Sequence, residues 1–180
     1  MDAIRLIQRL HQHRAWVNQN LLTAAANLNN EQCQAVFSIG QGSIWKSLLH
    51  LYGAEFIWLE TLRGNENAVL PGDLPGKIPG NQQGDGAISN LAELREKWST
   101  LEERWQVYVS SLTPESLDET VFRFSSFAGK RFETRRSDAL LHVCTHAQYT
   151  TAQIVNMFRQ LGVEKLPEVM LIAFARLEPK

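Results

Sequence analysis

An all-α fold, a four-helix bundle with a small β-hairpin before its fourth helix and a short C-terminal helix, is what three observations on this 180-residue chain predict. Four long segments repeat apolar residues at helical spacing. The stretch from Glu119 to Arg135 places Val121, Phe122, Phe124, Phe127, Phe132 and Thr134 around Ala128-Gly129-Lys130, the pattern of a hairpin and its turn. Between the second and third helical segments the text changes to Asn, Pro and Gly, yet neither flank holds a complete core alone. The expectation is therefore one domain over residues 1–180.

The first helix is expected from about Asp2 to Leu28, with Ile4, Ile7, Leu10, Trp16, Leu21, Leu22 and Ala25 on one broad apolar face. The Asn27-Leu28-Asn29-Asn30 cluster ends it. His11 and His13, two residues apart, diverge and read as helix-surface residues. Gly40 and Gly42 break the chain before the second helix, about Ser43 to Arg63, with Ser43 as its N-cap. That helix is apolar nearly all round, which puts it at the centre of the structure. From Gly64 to Gly86 runs a long loop punctuated by Pro71-Gly72, Pro75-Gly76 and Pro79-Gly80. The third helix, about Ser89 to Leu112, carries Leu91, Leu94, Trp98, Leu101, Trp105 and Val109, and Thr113-Pro114-Glu115 begins a turn. After the hairpin, Ser137 is the expected cap of a fourth helix that reaches Leu161, with Asp138 suited to its dipole and Gly162 as its stop. Pro167 to Leu177 is expected to form the last short helix, packed across one end.

The composition, 44% hydrophobic and 21% charged with net charge −1, is that of an ordinary soluble domain. No face gathers Lys and Arg as a nucleic-acid footprint requires, so no nucleic-acid partner is expected. Arg123, Lys130, Arg131, Arg135 and Arg136 form the densest basic patch and read as a solvated hairpin rather than a phosphate site. The start, Met1-Asp2-Ala3-Ile4-Arg5, lacks the pattern of a signal peptide. The longest apolar run, Val169 to Ala175, is far too short to span a membrane. Cys33 and Cys144 make no C-x-x-C motif, and a reducing, cytoplasmic location is the expectation. Cys144 reads as a buried small hydrophobe. There is no G-x-S-x-G, no H-E-x-x-H and no Gly-rich phosphate loop leading into a helix.

Candidate chemistry gathers on three other histidines. His50 lies in the apolar second helix, in the company of Ala54 and Ile57; His142 and His146 lie at i, i+4 on the fourth. Imidazoles on core-facing positions are costly unless each ring nitrogen finds a partner. A divalent metal between the two helices would supply one, and His50, His142 and His146 are the candidate ligands. Thr150 continues the stripe with a hydroxyl, a poor ligand. The second reading is a non-catalytic bundle that binds a small molecule or acts as a dimeric scaffold, its histidines joined by hydrogen bonds.

Several stretches, taken in order, resemble the DinB/YfiT-like family of metal-dependent enzymes, which includes thiol-dependent S-transferases and is unrelated to the DNA polymerase that shares the DinB name. His13-Arg14-Ala15-Trp16-Val17-Asn18 is similar to the family's Y-x-x-W-x-N. The segment Gly42 to Leu51 is similar to the one that brings the first metal-binding histidine, and Leu59 to Gly64 to the end of that helix. Leu140 to Ile154 resembles L-x-H-V-x-x-H-x-x-x-H-R-x-Q-I. The resemblance implies an up-down-down-up four-helix bundle, a divalent metal such as zinc or nickel, a low-molecular-weight thiol as possible cofactor, a small-molecule substrate for transferase or hydrolase chemistry, and often a homodimer. It places the family's ligands on His50, His146 and Thr150, so the third departs from the pattern, as does Thr151 at the arginine position. For His142 to serve instead, the site would sit about 6 Å further along the helix, given a rise of about 1.5 Å per residue. Tyr149 and Gln153 are the expected orienting donors, and the Gly64–Gly86 loop the expected rim of a pocket.

Overall fold

The computed structural model describes residues 2–177; Met1 and residues 178–180 of the expected domain lie outside the described residues. Helix α1 (Ala3–Ala25) begins where the Asp2 carboxylate accepts from the Arg5 amide. It stops at the Asn cluster, as expected, but the same cluster starts something the periodicity is too short to show. Asn29 and Gln32 form a reciprocal capping box that opens the short helix α2 (Asn30–Gln34). Helix α3 (Ile44–Leu62) is capped by Ser43, whose hydroxyl accepts from the Lys46 amide at 3.1 Å. Helix α4 (Leu91–Ser110) starts two residues later than the expected Ser89, because the Asn90 side chain takes the Glu93 amide and so fixes the cap.

A 3₁₀ turn at Glu115–Asp118 leads into strands β1 (Thr120–Ser125) and β2 (Lys130–Arg135), which pair antiparallel with Ser125 opposite Lys130. Helix α5 (Arg136–Gln160) follows β2 without a loop, and here the expected Ser137 cap is not used. The hairpin's end supplies the partner instead: the Arg136 amide donates to the Glu119 carbonyl at 2.8 Å, so the helix starts immediately beyond the hairpin's last pair, Thr120 with Arg135. At the other end the amides of Gly162 and Val163 donate to Arg159 and Phe158, the Schellman arrangement that Gly162 predicts.

The four long helices form a ring of contacts, α1 and α3 each packing against both α4 and α5. Helix α3 is enclosed on almost every side, as its apolar circumference requires, and Trp98, Trp105, Leu48, Leu51 and Phe158 fill the centre. The last short helix, α6 (Leu171–Ala175), lies along α1 rather than across an end. Phe174 packs on His13 and Trp16, and Asn20 donates to the Glu168 carbonyl. No helix among the described residues is long and apolar enough to cross a membrane. The hairpin sits over α3 and α5, and the long loop is stapled to it: Phe124 donates its amide to the Glu66 carbonyl and Arg131 grips the Glu66 carboxylate through two nitrogens.

Candidate metal centre

Where α3 meets α5, His50 and His146 point at each other, their Nε2 atoms 3.2 Å apart. His50 is held from behind. Its Nδ1 lies 2.9 Å from the Pro79 carbonyl, which can only accept, so Nδ1 carries the proton and Nε2 turns a lone pair toward His146. This is how proteins commonly orient a metal-ligating histidine. The orienting group comes from the long loop, and two glycines bring it close enough. A Cβ on Gly53 would come within 2.8 Å of Gly80 Cα, and one on Gly80 within 2.6 Å of His50 Cα and into the Leu49 carbonyl. Gly80 also has φ +76°, a conformation open to glycine. The Asp73 carboxylate locks this stretch by accepting from the amides of Gly80 at 2.7 Å and Gln82 at 2.9 Å.

Burial, followed by the neighbouring His50 and His142, lowers the His146 pKa to about 4, so its ring is neutral at physiological pH and can offer a lone pair. His142 is exposed rather than core-facing, which corrects the expectation that all three rings are buried. Its ring sits 5.7 Å from that of His146 and 5.2 Å from Trp58. Partial burial, then the charge of Arg123, holds its pKa below the ordinary value. All three histidines line one cavity of about 240 Å³, closed by Pro79, Ile78 and Leu74 of the loop and by Arg123 of β1. The loop is thus the rim that its length and composition suggest.

The histidine pair fits two ligands of a divalent metal. Zn–N bonds of about 2.0–2.1 Å at a tetrahedral angle separate two nitrogens by about 3.3 Å, close to the spacing seen here. A full protein ligand set is not assembled: among the described residues no three His, Cys, Asp or Glu side chains are grouped to hold an ion. Thr150 is buried and does not line the cavity. The expected orienting donors are not at the site either. Tyr149 is 68% exposed, and Gln153 lies against Gly40, where the chain passes between α2 and α3. Both follow the histidines around the helix by sequence spacing, but of the α5 side chains only His142 and His146 line the cavity.

A second polar cluster escaped the sequence reading. On the other side of α3, Glu55 accepts from Arg14, from Asn18 at 2.9 Å and from the Trp98 indole at 3.0 Å, while Arg14 also donates to Glu102 at 2.7 Å. The signal was present, since Arg14 interrupts the apolar face of α1 and Glu55 an otherwise apolar helix. Buried charges demand a partner of opposite sign. His11 and His13 are likewise buried, against the expectation of surface positions. They do diverge, but both sides of α1 are covered: His11 stacks on Trp105 at 4.8 Å, and His13 reaches the Val169 carbonyl at 3.0 Å. Burial drives the His11 pKa to about 3. Cys144 is half-buried, and its pKa is pushed up to about 12 by burial, which makes it an inert thiol.

Three comparisons bear on these features. A family model described as DinB superfamily matches residues 12–154, a span that runs from the middle of α1 through most of α5 and includes all three histidines. Among solved structures the chain is similar to YfiT from Bacillus subtilis, described as a probable metal-dependent hydrolase with an unusual four-helix bundle topology; 90% of each chain is covered at 15% identity, with a TM-score of 0.62. No curated protein matches.

Proposed function

The chain belongs to the DinB superfamily, and from that premise we propose that it is a metal-dependent enzyme acting on a small molecule in the cavity between α3, α5, the long loop and the hairpin. The observation that carries the reading is the His50–His146 pair, its nitrogens at ligand spacing and His50 fixed in the required tautomer by Pro79. His50 and His146 would hold a divalent cation, zinc or nickel, with His142 beside them as a further ligand or an orienting group. The description of YfiT as a probable metal-dependent hydrolase supports this class of chemistry, as does the shared bundle. A metal bound there supplies acidity, making a water or a thiol nucleophilic at neutral pH, which suits hydrolysis or thiol-dependent transfer. The chain's own contribution is binding and orientation. Ile57 and Trp58 offer apolar and aromatic walls, His146 stays unprotonated, and the loop walls one side of the space that the pair faces.

Metal analysis of protein purified without a histidine tag tests the reading. We expect near-stoichiometric zinc or nickel in the wild type and its loss in His50→Ala. Thr150→His adds an imidazole one turn beyond His146 and is expected to tighten zinc binding about tenfold or more; no gain would show that this register is wrong. The buried Thr150 and the missing third ligand favour one other reading, a non-catalytic bundle that binds a small molecule. A well-folded, metal-free wild type that takes up no zinc would establish that reading in place of the first.

A further inference from the structure

We propose that Arg123 makes the cavity a carboxylate-binding site, so that the small molecule it takes is an organic acid with an apolar body. The assignment of that acid as substrate rests on the reading above; the carboxylate site itself does not.

The five basic residues around the hairpin do not behave alike. Arg131 pairs with Glu66 and Glu133, Arg135 lies beside Asp118, and Arg136 binds Glu119 at 2.9 Å. Lys130 rests on the Phe132 ring on the outer hairpin. Arg123 differs from all of them. Alternation along β1 turns it, with buried Val121, toward the helices, where its guanidinium lies 5.2 Å over the Trp58 ring and lines the histidine cavity. Burial lowers its pKa, and among the described residues no carboxylate is paired with it. A half-buried guanidinium without a counter-ion, facing an open space, retains donors for an anion in the fork geometry that matches a carboxylate.

The rest of the lining agrees in sign. Lys77 adds a second cation from the loop. The one acid, Asp73, has its oxygens committed to the amides of Gly80 and Gln82 and to the Gln82 side chain at 2.8 Å. The charge left to meet a ligand is therefore positive. Ile57, Trp58 and Val69 provide the apolar wall, and about 240 Å³ suits a molecule the size of a substituted ring or a short branched chain.

Calorimetric titration with phenylacetate and its uncharged analogue phenylacetamide, at low salt, tests this on metal-free and on zinc-supplemented protein. Wild type is expected to bind the acid about tenfold more tightly than the amide. Arg123→Gln should abolish that preference in both preparations, and Arg123→Lys should keep part of it. Equal binding of the two probes by wild type, no binding of either, or an undiminished preference in Arg123→Gln would overturn the proposal. Zinc uptake, measured separately on wild type, distinguishes the two readings. An acid preference without zinc uptake removes the metal and leaves the carboxylate site, whereas zinc uptake without an acid preference does the reverse.

Discussion

Helix α3 carries polar clusters on two of its sides, and they are built in opposite ways. Glu55 and His50 are five residues apart, about 140° around the helix. On the Glu55 side every carboxylate oxygen meets a donor from Arg14, Asn18 or Trp98, and the side chains of Arg14 and Glu55 are each only 1% exposed. On the His50 side one nitrogen is satisfied by Pro79, while the other meets His146 at the edge of a cavity that also holds Arg123, which no carboxylate among the described residues pairs with. The closed cluster has its Glu55 carboxylate fully engaged within the chain and buried away from any ligand, so it serves the fold. An open one, with oriented lone pairs and free donors facing space, retains capacity for a ligand. The same helix thus anchors the bundle with one face and presents a site with the other.

The most severe way to break this contrast is to open the closed side. Glu55→Ala leaves Arg14 buried with Glu102 alone, and removing one partner of a buried pair costs about 3–5 kcal/mol. His50→Ala removes a half-buried ring beside a cavity and should cost about 1 kcal/mol or less. Urea midpoints of the two variants measure both effects. Equal losses would mean that the histidine side is also part of the structural core.

A smaller effect is expected from pH, again on the closed side. Burial, opposed by Arg14 and assisted by Glu55, raises the Glu102 pKa to about 7 from its ordinary 4.5. The folded state then holds this proton more tightly than the unfolded state. Its stabilising contribution is present below pH 4.5 and is lost as pH rises through about 7. Glu102→Gln cannot titrate, so its unfolding free energy, read from urea melts, should fall less between pH 5 and 8 than that of wild type, by about 1–3 kcal/mol. Identical pH profiles would show that Arg14 keeps Glu102 ionised throughout.

The two clusters were not equally legible in the sequence. The long helices, the Ser43 cap, the hairpin and the Gly162 stop follow from local patterns, and the structure has each of them. His50, His142 and His146 could be placed on one site because helical spacing and a family pattern both address them. The orienting group could not, since a backbone carbonyl such as that of Pro79 has no residue-type signature and reaches His50 from 29 positions away. Arg14 and Glu55 escaped for a related reason: a charge on an apolar face announces burial but not its partner, which lies 41 residues off. The same holds for Arg123, read as one of a solvated group until strand alternation separated it from its neighbours.

The gentlest test touches the fold least and the open side most. At Gly80, φ is +76° and a Cβ would run into the Leu49 carbonyl, so Gly80→Ala forces the loop to lift from α3. The strain falls on a partly exposed loop rather than on the bundle core, so the loss of stability should be about 1–3 kcal/mol, below that of Glu55→Ala. Lifting it withdraws the Pro79 carbonyl from His50 Nδ1 and frees the ring to take the wrong tautomer or orientation. Loss of such an orienting partner costs about 10–100-fold in metal affinity. Zinc titration against the urea midpoint of the same variant separates the two quantities. A variant that keeps its zinc affinity but unfolds as readily as Glu55→Ala would make the loop a brace for α3; weak zinc binding in a stable protein would make it the part of the site that sets His50 to work.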